Sequence, residues 1–140
     1  MSLPVMSPLV STRIWALPIG GAPVKFLQFL VFRSEPGGAL PSQRTMATEY
    51  GVAPSTVSAL LEPLFELNIV LRSKAEAEEG RGGNRYKLHP LAATYDSIES
   101  MTAAFAQALE DMRAGRLAPL NLPEYQTVPP AEGRPELRIA

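Results

Sequence analysis

Ser55, Thr56 and Ser58 stand directly behind Pro54, and a second polar cluster, Ser42-Gln43-Arg44, lies a short way upstream. Hydroxyls donate and accept hydrogen bonds, amides do both, and an arginine among them attracts anions. Such a set suits recognition of a phosphate-bearing surface better than bond breaking. Arg81, Arg85 and Lys87 form the densest run of positive charge in the chain, and on a strand and loop beside the hydroxyls they are expected to meet phosphate. Covalent chemistry has little material: the chain has no cysteine and one histidine, His89, which excludes thiol catalysis and leaves His89 as a cap or linker residue. The carboxylates of Glu76, Glu78 and Glu79 sit in a glycine-flanked stretch, with no burial to move them toward acid–base work. No cofactor or metal is expected, and the chain is not expected to be an enzyme.

The elements that must hold the polar clusters lie between residues 40 and 61. Met46, Ala47, Tyr50, Val52, Val57, Leu60 and Leu61 recur at helical spacing on both sides of Gly51, which predicts two short amphipathic helices sharing one core face. Ser42 is placed to cap the first helix. Gly51 can end it in the left-handed region, and Pro54 can start the second, where its fixed φ costs nothing. Met46, Ala47, Val52, Val57, Leu60 and Leu64 are the expected core, with Leu60→Ala costing ~2 to 5 kcal/mol. Ser55, Thr56 and Ser58 then point outward from the first turns of the second helix. That helix should continue to Asn68, with a kink or a break near Ala59 caused by Pro63.

The order of a small residue, glycine four positions on, valine six after that and leucine three further resembles a helix-turn-helix. Leu40-Pro41-Ser42-Gln43-Arg44, Ala47, Gly51-Val52, Ser55-Thr56-Val57 and Ala59-Leu60 together resemble the winged-helix domain of GntR-type bacterial regulators, over residues 38 to 88. The segment RGGNRYKLHP, 81 to 90, is more similar to the wing of MarR-type regulators or of plasmid replication proteins. The resemblance is therefore to the winged helix-turn-helix superfamily. It implies double-stranded DNA as partner, with Ser42, Gln43, Arg44, Pro54, Ser55, Thr56, Ser58, Arg81, Arg85 and Lys87 as the contacting residues.

The flanks complete the expected architecture, which is α+β, mainly α. Residues 1–21 form an N-terminal arm, in which Arg13 to Leu17 reads as a short strand or extended piece whose Trp15 docks on its own domain. A helix opens at Pro23 and runs through Val24 to Arg33, apolar almost all round and so buried on more than one side. Leu40 is expected to pair with a wing strand. The wing itself is a hairpin of residues 69–74 and 84–88, with Ile69, Leu71, Tyr86 and Leu88 inward and Arg72, Lys74, Arg85 and Lys87 outward. Residues 22–90 make the winged domain. Residues 91–115 form a long C-terminal dimerisation helix, whose stripe Tyr95, Ile98, Met101, Phe105 and Leu109 recurs at a period close to ~3.5 and predicts pairing with a second copy. Residues 116–140 read as a proline-rich tail without periodic structure.

With 140 residues and a net charge of −1, the chain is one domain with tails. No apolar run reaches the ~18 residues needed to cross a bilayer, so no membrane partner is expected and a cytoplasmic location is. The expected function is that of a dimeric bacterial transcriptional regulator, reading half-sites about 10 base pairs apart. Its log–log salt slope is expected to be on the order of −7 for four phosphate contacts per subunit. A plasmid or phage replication or partition protein is the first alternative. The second is a winged helix that binds protein, favoured by the near-zero charge and by the absence of Arg and Lys between Ala53 and Leu61. Any small-molecule effector would have to lodge between Val24 to Phe32 and the terminal helix.

Overall fold

A computed structural model describes residues 5–74 and 84–122. The fold is α+β and mainly helical. Strand β1 (Val5–Met6) leads into helix α1 (Pro8–Arg13) and a 3-10 turn (Ile14–Ala16), followed by α2 (Gly21–Arg33), α3 (Gln43–Tyr50) and α4 (Pro54–Glu66). Strands β2 (Val70–Lys74) and β3 (Asn84–Leu88) form an antiparallel hairpin. A 3-10 turn (Pro90–Ala92), strand β4 (Thr94–Tyr95) and helix α5 (Ile98–Arg113) complete the regular structure of the described residues.

The two helices around Gly51 form as their spacing predicts. Ser42 Oγ accepts from the Thr45 N–H at 3.1 Å, and Gly51 ends α3 at φ 82°, a conformation that charges an L side chain a Cβ clash. Met46, Ala47, Val57 and Leu64 are buried, whereas Val52 and Leu60 are only half-buried. Leu61, fully enclosed, takes the place between Val57 and Leu64 that was expected of Leu60, while the rest of the buried stripe of α4 stands as expected. Pro63 neither breaks nor ends α4, which runs on to Glu66. The proline denies the Ala59 carbonyl its helical donor, but Ala59 is exposed and water can serve instead. The helix ends at Glu66, short of Asn68, which turns the chain in the left-handed region at φ 62°.

Gly38 joins two layers. Its carbonyl accepts from Leu88 N–H at 2.8 Å, Leu40 N–H donates to the Tyr86 carbonyl at 3.1 Å, and Ala39 bridges Lys87. The segment before α3 thereby runs along β3 through a single β-bridge, the side on which Leu40 was expected to pair. A Cβ on Gly38 would lie 2.9 Å from the Leu88 carbonyl oxygen, at φ +104°. Only glycine permits this approach.

The hairpin's faces are phased differently from the expectation. Val70 pairs with Leu88 and Arg72 with Tyr86, so this set shares one face. Val70, Tyr86 and Leu88 are buried there, and Arg72 lies over the Phe65 ring, 4.5 Å from its centroid. Leu71, expected inward, pairs with Lys87 on the opposite face. Ile69 is buried just before the strand begins.

The N-terminal arm is part of the core. Leu9, Val10, Ile14 and Leu17 belong to the same buried cluster as α2 and α4, and β1 pairs with β4 through Val5 opposite Tyr95. Arg13 to Leu17 is therefore helix end and 3-10 turn, not strand. Ser7 caps α1 from a buried position. Trp15 remains 70% exposed and is not docked on the described residues. Helix α2 begins at Gly21, with Pro23 inside its first turn, and buries Val24, Phe26, Leu27, Leu30 and Val31, while Phe32 is 70% exposed. One side of α2 is covered, not all of it.

The segment after the hairpin also departs from expectation. The long helix placed at 91–115 starts only at Ile98, because Pro90–Ala92 winds as a 3-10 turn and Thr94–Tyr95 is taken by β1. Residues 118–122, assigned to the tail, pack on the end of α4. Asn121 donates its backbone N–H to the Leu67 carbonyl at 2.8 Å and its side chain to Glu66 at 3.0 Å. Asn68 donates to the Pro119 carbonyl at 2.9 Å. The carbonyls left open at a helix end find their donors here, and Leu120 and Leu122 are buried below. Among the described residues no helix is long and apolar enough to cross a membrane.

Candidate nucleic-acid interface

The start of α4 is an exposed polar ledge. Pro54, Ser55, Thr56 and Ser58 are all exposed, because Val57, Leu61 and Leu64 take the inward positions of the same turns. Ala53 supplies no side-chain cap. Thr56 and Val57 donate their N–H groups to the Ala53 carbonyl. The Ser55 N–H belongs to the first turn, whose donors have no partner within the helix. Backbone donors at the positive end of a helix dipole favour an anionic partner.

Gln43 fixes this ledge in place. Its Nε2 donates to the Pro54 carbonyl at 3.1 Å and to Ser58 Oγ at 2.5 Å, while its Oε1 accepts from the Tyr86 hydroxyl at 3.0 Å. One side chain at the head of α3 thus joins α4 and β3. Tyr86, 7% exposed and stacked on Phe65 with centroids 6.1 Å apart, is a rigid anchor for that bond. No feature of the sequence singled out Tyr86 beyond its inward position, since its partner lies 43 residues away.

The remaining site residues divide by location. Arg44 is exposed beside Gln43 at the start of α3. Ser42 is occupied locally, accepting from Thr45 N–H and donating to Thr45 Oγ1 at 3.0 Å. Arg85 and Lys87 are exposed on the face of β3 opposite Tyr86, and the structure does not bring them to the ledge. They border an open groove of about 390 Å³ with Pro36, Gly37, Ala39, Leu71 and Ser73. Arg81 lies outside the described residues. This groove does not lie between α2 and the terminal helix, where any small-molecule effector would have to lodge.

No protein-family model, curated protein or solved structure matches this chain.

The stripe expected to pair two copies is split by the fold. Tyr95 is buried in its own chain, with its hydroxyl donating to the Pro90 carbonyl at 2.7 Å and its ring edge-on to Phe105. Burial raises the Tyr95 pKa above its ordinary value. Met101 and Phe105 are half-buried against the core, and Ala108 is enclosed. Ile98 and Leu109, 63% and 45% exposed, lie along the solvent edge of that stripe.

His89 is a buried strut. Leu91 N–H donates to its Nδ1 at 3.1 Å, so Nδ1 is the unprotonated nitrogen and Nε2–H donates to the Ala118 carbonyl at 2.8 Å. Burial lowers the His89 pKa, the Ala118 bond opposes that, and Lys87 adds to it.

Proposed function

We propose that this protein is a winged helix-turn-helix DNA-binding protein that acts as a dimer, in the manner of a bacterial transcriptional regulator. The reading rests on one observation above all: the outward hydroxyls of Ser55, Thr56 and Ser58 stand at the start of a helix whose position is locked to the neighbouring helix and hairpin through Gln43. The order of elements supports it. Helix α2, the Ala39 bridge, α3, the Gly51 turn, α4 and the β2–β3 hairpin follow one another as in a winged domain. In such a domain α4 enters the major groove, Arg44 and the Ser55 N–H meet phosphate, and the hairpin lies alongside.

Arg85 and Lys87 act in this reading through their field, since their side chains leave β3 on the face away from the ledge. Phosphate contacts then number fewer than four per subunit, and the salt slope is shallower than −7, at roughly 0.9 per neutralised phosphate. Fluorescence anisotropy against a random duplex at two salt concentrations tests the reading. Binding at low salt that weakens as salt rises is the expected result, and no binding to any duplex would refute it.

A protein partner is the second reading, and the exposure of Trp15 and Phe32 favours it. Large aromatic side chains are enriched where proteins meet.

A further inference from the structure

The amide of Gln43 has one workable orientation, and that orientation decides what the Ser58 hydroxyl can offer. A carbonyl oxygen only accepts, so the Pro54 carbonyl requires the NH2 end of the amide, which it meets at 3.1 Å. The second N–H of the same group goes to Ser58 Oγ. The Tyr86 hydroxyl, able to donate, meets Oε1. Turning the amide over would press Oε1 against the Pro54 carbonyl, two acceptors face to face.

Ser58 Oγ is therefore an acceptor toward Gln43, and its proton must find a partner elsewhere. The common outlet for a helical serine is the carbonyl four residues back, here that of Pro54. That oxygen already receives Gln43 Nε2 and, in the helical ladder, the Ser58 backbone N–H, which fills both lone pairs. Among the described residues no other acceptor takes the Ser58 proton, and Ser58 is exposed.

We propose that Gln43 is a positioning residue that makes Ser58 a hydrogen-bond donor toward DNA, so that Ser58 selects an acceptor atom there, either a phosphate oxygen or an acceptor on a base edge. The proposal rests on the DNA-binding reading and deepens it. A serine hydroxyl alone discriminates poorly, because it can rotate to suit donor or acceptor. With Gln43 occupying one lone pair and Pro54 refusing the proton, that freedom is reduced.

The test is affinity selection from a random duplex pool, with dissociation constants on the selected duplexes, for wild type, Ser58→Ala, Ser58→Thr, Gln43→Met and the double variant Ser58→Ala/Gln43→Met. Ser58→Ala and Gln43→Met should each weaken binding roughly 2- to 12-fold, the range of one hydrogen bond, and Ser58→Thr, which keeps the hydroxyl, should not. The double variant should lose no more than the greater single loss, since both substitutions act through one proton. Loss confined to one base position identifies a base-edge acceptor, and equal loss on all sequences identifies phosphate. A purely structural Gln43 would instead multiply its loss with that of Ser58→Ala, and this result would overturn the proposal. Unchanged binding by Ser58→Ala or by Gln43→Met would do the same while leaving the DNA-binding reading intact. Failure of the wild type to bind any duplex at low salt would overturn both.

Discussion

Tyr86 donates its phenolic proton to Gln43 Oε1 across 3.0 Å, and through this bond the hairpin and the first turn of α4 share one support. The bond is largely withdrawn from water, with Tyr86 buried and Gln43 half-buried. Tyr86→Phe removes the donor and keeps the ring on Phe65. It should lower stability by about 0.5 to 1.5 kcal/mol, the net value of one such bond, read as a lower urea midpoint with an unchanged slope. An unchanged midpoint would mean that water replaces the phenol at no cost.

The phase of α4 can be tested by a pair of truncations. Leu61 is fully buried, and Leu60 is half-buried. Leu61→Ala should cost ~2 to 5 kcal/mol as a core cavity, and Leu60→Ala clearly less. Equal losses in chemical denaturation would contradict the packing.

Stability should fall as the solution becomes acidic through the His89 range. The folded state holds His89 neutral, with Nδ1 accepting from Leu91 and a pKa below the ordinary 6.5. Below pH 6.5 the unfolded chain binds a proton that the folded chain refuses, so His89's contribution is complete above that value. It declines as pH falls toward the lowered folded pKa. Unfolding free energies measured between about pH 8 and about pH 5 should show this decline in the wild type, and a flatter profile in His89→Gln. Identical profiles would remove His89 as its source.

Ile98 and Leu109 should carry the contact between two copies. Both are exposed on α5, so Ile98→Glu with Leu109→Glu leaves the monomer core intact. Sedimentation should find a dimer for the wild type at micromolar concentration and a monomer for the variant, with equal helical circular dichroism. A wild-type monomer would end the dimer reading.

Arg44 should supply phosphate attraction at the head of α3. Arg44→Ala is expected to weaken binding to all sequences and to reduce the log–log salt slope by about 0.9 per subunit. An unchanged slope would place the start of α3 outside the interface.

Local chemistry was sufficient to read the centre of this chain from its residues. The cap at Ser42, the left-handed Gly51 and the start at Pro54 each depend on residues within a few positions, where backbone sterics and short-range hydrogen bonds decide the outcome. Periodicity also marked the inward side of α3 correctly. It misjudged α4 at one residue, because Leu60 and Leu61 are both apolar and only packing against α2 and α3 chooses between them. Tertiary structure alone decided the rest. Val5 and Met6 capture Thr94 and Tyr95, which cuts short the helix that an unbroken stripe from Leu91 suggested. Asn121 and Ala118 lie far along the chain from the α4 end and His89 that they satisfy. The link from Gln43 to Tyr86 likewise exists only once the segment of Gly38 lies against β3, since no local pattern encodes a hydrogen bond between side chains 43 residues apart.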